Sequence, residues 1–135
     1  MFGWFRKPDP LEPQRAAIRR GELPNIPSGW KAWRSAVSGE AQRNPDGTSR
    51  QRLIKKLKIG ESVVLKPEPD NKYDPHAVQV VSRLGLIGYL PRGHGLNTEV
   101  EEERLFGFIS ALRTGGGDMT GVVLILVRRP RKDSA

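Results

Sequence analysis

Two histidines, His76 and His94, and no cysteine limit the chemistry this chain can carry. Thiol nucleophiles, disulfides and cysteine-ligated zinc are excluded, and a zinc site would need carboxylates to complete it. Glu68, Asp70, Asn71 and Asp74 cluster, but the run lacks the glycine and the twelfth-position glutamate of a calcium loop. Gly85, Gly88, Gly93 and Gly95 have neither the spacing of a phosphate-cradling loop nor its following Lys-Ser/Thr. The reading is therefore non-enzymatic, with no metal and no cofactor. The run that can recognise something is Lys66 to Val80, with Tyr73-Asp74 near its middle. A tyrosine on a loop offers an apolar ring that stacks on an unpaired base. An adjacent carboxylate accepts a hydrogen bond from a hydroxyl and repels a phosphate. Together they suit a terminal sugar hydroxyl better than a continuing strand. A purely architectural reading stands beside this one, in which Asp74-Pro75 opens the next strand and Tyr73 plugs the mouth of a barrel.

These residues need elements to hold them. Trp33–Val37 alternates as a first strand. Asn44-Pro45-Asp46-Gly47 is a turn, and Thr48 with Gln51 three residues on predicts a capping box at the start of a helix. That helix carries Leu53, Ile54 and Leu57 on one face and Arg50, Arg52, Lys55, Lys56 and Lys58 over the rest, with Gly60 placed for a left-handed cap. From Ser62 a strand built on Val63 and Leu65 runs to the rigid, proline-bracketed loop Pro67-Glu68-Pro69-Asp70-Asn71, and strands at Ala77–Val81 and Leu86–Leu90 follow, parted by a tight turn at Gly85. Thr98–Glu103 reads as a second short helix with acids in its first turn. Phe106–Leu112 and Val122–Val127 are the last strands, joined through Gly115-Gly116-Gly117. Five or six short strands with two short helices make a mainly β domain, a small, partly open β-barrel.

The chain has 135 residues and a net charge of +8, and that charge is unevenly placed. Residues 1–58 carry 13 Lys and Arg against 5 Asp and Glu, residues 59–127 carry 6 against 9, and the last eight carry 4 against 1. A mildly acidic core between basic flanks points to a polyanionic partner, although basic tails also serve solubility alone. No apolar run is long enough to span a membrane, the start is not a secretory signal, and the reading places the protein in the cytoplasm. Five prolines in residues 1–29 predict a poorly ordered flexible segment, with at most a short helix over about 12–20. Phe2, Trp4 and Phe5 beside Arg6 and Lys7 suit a membrane interface, a partner protein or a mobile tail. Trp30 and Trp33, interleaved with Lys31 and Arg34, either stack on single strands or anchor this segment. The domain is set at 30–129, with a basic tail at 130–135.

Asp46-Gly47-Thr48-Ser49-Arg50-Gln51, the run Glu68 to Val78 containing Asn71-Lys72-Tyr73-Asp74, and Ile87-Gly88-Tyr89-Leu90-Pro91 resemble a HIRAN domain. The similarity extends over roughly residues 34–129. Members of that family include amino-terminal domains of fork-remodelling translocases and stand-alone bacterial or phage-type proteins. The resemblance implies an OB-like barrel and capture of the free 3′-hydroxyl end of single-stranded DNA. It assigns Asn71, Tyr73 and Asp74 to the pocket loop, with Tyr73 on the terminal base and Asp74 at the 3′-hydroxyl. Tyr89 falls where the translocase domain has a histidine, unless it is only a strand residue, and Arg92 falls on a phosphate-contacting lysine. The family's first-strand Arg-Tyr pair has no clean counterpart, with Arg43 or Trp33 the nearest substitutes, and the aromatic before the last strand is missing from Thr114–Met119. Lys72 and the helix lysines Lys55 and Lys56 complete the expected DNA contacts. Expected partners are single-stranded DNA 3′ ends and other DNA-processing proteins, in repair, at replication forks or in phage and host DNA processing. The alternatives are a protein-interaction module that binds no nucleic acid and a metal-dependent nuclease or hydrolase subunit built on Asp70 and Asp74.

Overall fold

A computed structural model describes residues 11–131; residues 1–10 and 132–135, including Phe2, Trp4 and Phe5, lie outside the described residues. Six strands form one antiparallel sheet: β1 (Lys31–Ala36), β2 (Ser62–Pro67), β3 (Val78–Ser82), β4 (Gly85–Tyr89), β5 (Leu105–Thr114) and β6 (Thr120–Arg128). Their spatial order is β1-β6-β5-β2-β3-β4. Register shifts at Val80/Val81 and at Ile109/Ala111 add local bends, and the sheet curls. Its two edges meet just beyond β1, where Ser38 and Tyr89 exchange backbone hydrogen bonds of 2.8 and 2.9 Å. The result is a curled half-barrel, in keeping with the partly open barrel that the short strands predict and the OB-like fold that the resemblance implies.

The alternating strands bury one face, with Ile54, Val78, Val80, Ile87, Ile109 and Leu124 fully enclosed in the main core. The uninterrupted apolar run of β6 has a different cause. Ile125 and Val127 face outward into a second cluster with Leu11, Ile18 and Phe108, so β6 is covered on both sides. Residues 11–30 supply that cover. A 3₁₀ turn (Glu12–Gln14) and α1 (Arg15–Arg19) place Leu11 and Ile18 at 1% exposure against the sheet. Gly21, at φ +73°, lets the segment touch β5, because a Cβ there would drive into the Ser110 carbonyl. Ser110 Oγ donates to Gly21 O at 2.7 Å. For residues 11–29 the expectation of a poorly ordered segment is therefore corrected. Two deeply buried aliphatics and a buried hydrogen bond fasten it to the barrel despite its prolines.

The helix after the turn also departs from expectation. α2 spans only Arg50–Ile54, and its cap is Ser49, whose Oγ accepts from Arg52 N at 3.3 Å. Thr48 instead closes the preceding turn, donating its N–H to Asp46 Oδ1 at 2.9 Å. Gln51 is no cap partner. Its buried amide donates to Thr120 O (2.9 Å) and Glu40 O (3.1 Å), and its oxygen accepts from Thr120 N (2.7 Å). An amide that satisfies a buried strand start in this way is worth more there than at an exposed helix end. Gly60 has the expected positive φ of +92° but lies beyond the helix, donating its N–H to Ile109 O. α3 (Asn97–Glu101) is the third short helix. Trp33 packs against the main core, which favours its anchoring role over strand stacking.

Candidate nucleic-acid interface

The β2–β3 connection, residues 68–77, is long but stiff. Its ends are tied by Glu68 N to Ala77 O (2.9 Å), and Asn71 N donates to Glu68 O (3.1 Å). Asn71 then organises the tip: its Oδ1 accepts from both Tyr73 N and Asp74 N, each at 2.9 Å. Asp74 repeats the device with His76 N (2.9 Å), the short-range chemistry that makes Asn and Asp turn formers. Arg92, from the loop after β4, donates to Tyr73 O at 2.5 Å. A loop pinned at so many points holds its side chains where a ligand can meet them without further ordering cost. Tyr73 is 84% exposed, so its ring plugs nothing.

Glu68 is the hub beneath this loop. Tyr89 OH donates to Glu68 Oε2 at 2.9 Å, Asn71 Nδ2 to Oε1 at 2.7 Å, and Gln79 Nε2 to Oε2. Burial is the largest single influence on the Glu68 carboxyl and pushes it up. The hydrogen bonds from Tyr89, Gln79 and Asn71, with the charge of Arg50, together outweigh it and hold the group below the ordinary carboxylate value. Tyr89 is raised above its ordinary value, first by burial and then by its bond to Glu68. Arg50, expected on the solvent face of the helix, is 4% exposed. Its guanidinium bonds Asn44 Oδ1 (2.8 Å) and Gly39 O (2.9 Å) and lies 5.4 Å from the Tyr89 ring centroid. These acceptors lie on a neighbouring loop, so Arg50 positions Tyr89 rather than facing solvent.

Asn71, Tyr73, Asp74, Tyr89 and Arg92 line one open groove of ≈ 360 Å³, together with Ser38, Gly39 and Gln42 from the far side of the barrel closure. The groove can offer an aromatic face, a carboxylate and a guanidinium to one ligand end. The hydroxyl of Tyr89 is spent on Glu68, so only its ring is free for a ligand. The other candidates stand apart. Lys72 is exposed on the loop outside the groove lining. Arg43 is exposed and bonds Gly47 O at 2.8 Å. Lys55 and Lys56 are exposed beside the β3–β4 turn, where Arg83 donates to Lys56 O, at the opposite end of β4 from Tyr89. A second depression of ≈ 520 Å³ adjoins through Asp74, with His76, His94 and Asn97 in its wall. His94 Nδ1 accepts from Leu96 N (2.8 Å), and its Nε2 lies 2.8 Å from His76 O. Among the described residues no three His, Asp or Glu side chains converge as metal ligands, and no helix is long and apolar enough to cross a membrane.

Every residue that lines the groove lies between Ser38 and Arg92, and the profile of the HIRAN domain family matches residues 38–95. That stretch is similar to a HIRAN domain. HIRAN domains are nucleic-acid-binding modules. The fold agrees with two crystal structures. One is a protein from Lactobacillus plantarum, at TM-score 0.55 and 21% identity, covering 75% of this chain and 100% of that one. The other is the HIRAN domain of human HLTF, at TM-score 0.55 and 18% identity, covering 75% and 77%. No curated protein sequence matches the chain. Reading the sequence missed Glu68 as a hub and Ser38, Gly39 and Gln42 as groove wall. Only the Glu68-x-x-Asn71 spacing within the loop gave any sign of the first.

Proposed function

We propose that this HIRAN-like domain binds single-stranded DNA and receives a free 3′-hydroxyl end in the groove above Glu68. The observation that carries the reading is the pairing of an exposed Tyr73 ring with Asp74 on a loop that Asn71 and Arg92 hold rigid. Tyr73 stacks on the terminal base, and the Tyr89 ring, backed by Arg50, forms a second apolar wall. Asp74 spends Oδ1 on His76 N–H, which leaves its other oxygen to accept from the 3′-hydroxyl. A phosphate at that position would meet a carboxylate instead. Arg92 keeps further N–H donors beyond the one given to Tyr73 O, and with Lys72 it takes the phosphate that follows. Arg43, Lys55 and Lys56 add long-range attraction from outside the groove. The setting is DNA repair, fork processing or phage and host DNA processing in the cytoplasm, alongside other DNA-processing proteins.

Titration with oligonucleotides that differ only in a 3′-hydroxyl or a 3′-phosphate tests the reading. The unmodified protein binds the hydroxyl end more tightly. Asp74→Asn keeps the acceptor that caps His76, loses the charge, and gains affinity for the phosphate end. Equal affinity of the unmodified protein for both ends refutes end capture.

A further inference from the structure

Another cleft lies away from this groove, on the outer surface between β2 and β5. Those strands share only two register pairs, Ser62–Phe108 and Val63–Gly107, and then part. The gap, ≈ 610 Å³, is walled by Val64, Leu65, Leu105, Phe106 and Phe108, with Arg129 at one side. Val64 is 64% exposed, an unusual position for a strand valine beside two phenylalanines. The cations are placed over the rings. Arg15 lies 4.9 Å from the Phe108 centroid and Arg129 lies 5.8 Å from that of Phe106. Arg129 Nε is buried with no hydrogen-bond partner among the described residues.

We infer that this cleft is the docking site of the chain's own amino-terminal aromatic segment, Phe2, Trp4 and Phe5. The cleft is continuous with the second apolar cluster through Phe106 and Phe108, and residues 11–30 already cover the rest of that cluster. The described chain begins at Leu11, which is packed in one cluster with Phe108, itself a residue of the cleft wall. The preceding ten residues hold three of the chain's nine aromatic residues. Pro8 and Pro10 favour an extended course of about 3.1 Å per residue, so Phe5 reaches up to roughly 19 Å from Leu11. Val64 is only one strand over and two residues along from Phe108, on the order of 10 Å. Glu103 lies in the cleft wall and suits the cations Arg6 and Lys7 that follow the aromatics. A backbone carbonyl of the segment would satisfy Arg129 Nε.

The inference is independent of DNA binding, and nuclear Overhauser contacts in the full-length chain test it. Ring protons of Trp4 and Phe5 should show contacts to the methyls of Val64 and Leu65, unchanged on dilution. Val64→Glu, a substitution at a largely exposed position that the fold tolerates, should abolish those contacts. It should also move the Trp4 indole resonance to its free-peptide position while the other core resonances hold. Random-coil shifts for residues 2–5 in the unmodified chain would overturn the inference. So would contacts seen only between differently labelled copies, which would make a second molecule the occupant.

Discussion

Glu68→Gln isolates what the hub beneath the loop contributes. The carboxylate accepts from three side chains, Tyr89, Asn71 and Gln79, divided between its two oxygens. Glutamine has the same shape but one acceptor oxygen. Whichever way its amide turns, the new NH₂ faces donors that the missing oxygen served. At least one charge-assisted bond of about 1.5–3 kcal/mol disappears and the others weaken, so the variant should lose about 2–3 kcal/mol. In a domain whose whole stability is of order 5–15 kcal/mol this is a large shift in the urea midpoint. The pH dependence supplies the sharper check. The Glu68 carboxyl is held below its ordinary value of 4.5, so its contribution is complete above that value. It fades as pH falls through the lower folded value, where the wild type also becomes a neutral hydrogen-bonding group. The gap between wild type and variant, measured by urea unfolding, should be full at pH 7 and shrink in acid below 4.5. A gap under about 0.5 kcal/mol at pH 7, or one that stays constant into acid, refutes the hub.

Tyr73→Ala removes an 84% exposed ring. It should leave stability within about 0.5 kcal/mol while weakening single-strand binding roughly 5- to 150-fold, with thermal melts and fluorescence anisotropy as the two readouts. Gly88→Ala places a Cβ 2.5 Å from both Ser38 O and Val37 Cγ1, against the barrel closure. It should cost about 2–4 kcal/mol in urea unfolding as strain adds to the breaking of the Ser38–Tyr89 bonds, and a wild-type midpoint would show that the closure is slack. Lys55→Glu with Lys56→Glu should lower affinity for every strand and flatten the log–log salt slope by about 0.7 for each phosphate no longer neutralised. The preference between 3′ ends should not move, since both residues lie at the far end of β4 from Tyr89.

The strands were legible because their causes are local. Alternation marks β2 and β3, and the unbroken run Val122 to Val127 marks a strand covered on both faces. What was misread depends on residues far apart in sequence. Thr48 and Gln51 have the spacing of a capping box, but Gln51 is drawn to Thr120, 69 residues away. Arg50 has the composition of a surface base, and only the carbonyl of Gly39 and the side chain of Asn44 bury it. Leu11 and Ile18 are too sparse to show a period, so the prolines around them spoke louder. The same division runs through the groove. Asn71, Tyr73 and Asp74 sit on one loop and could be seen together, whereas Ser38, Gly39 and Gln42 arrive only when the sheet edges meet.

That arrangement separates attraction from discrimination. Asp74 and Glu68 make the groove and its floor acidic, and Arg92 is the exposed cation in its lining. The exposed Arg52, Lys55, Lys56 and Lys58 stand on and just after α2 instead. At physiological salt, where fields fade over about 8 Å, those bases would, under the proposed function, draw phosphates to the domain without neutralising Asp74 from the far end of β4. A second cation in the groove, beside Arg92, would raise affinity for every strand and weaken the penalty that the Asp74 carboxylate would impose on a terminal phosphate. Under the proposed function, the net charge of +8 would set how often a strand arrives, and one carboxylate on a rigid loop would set which end stays.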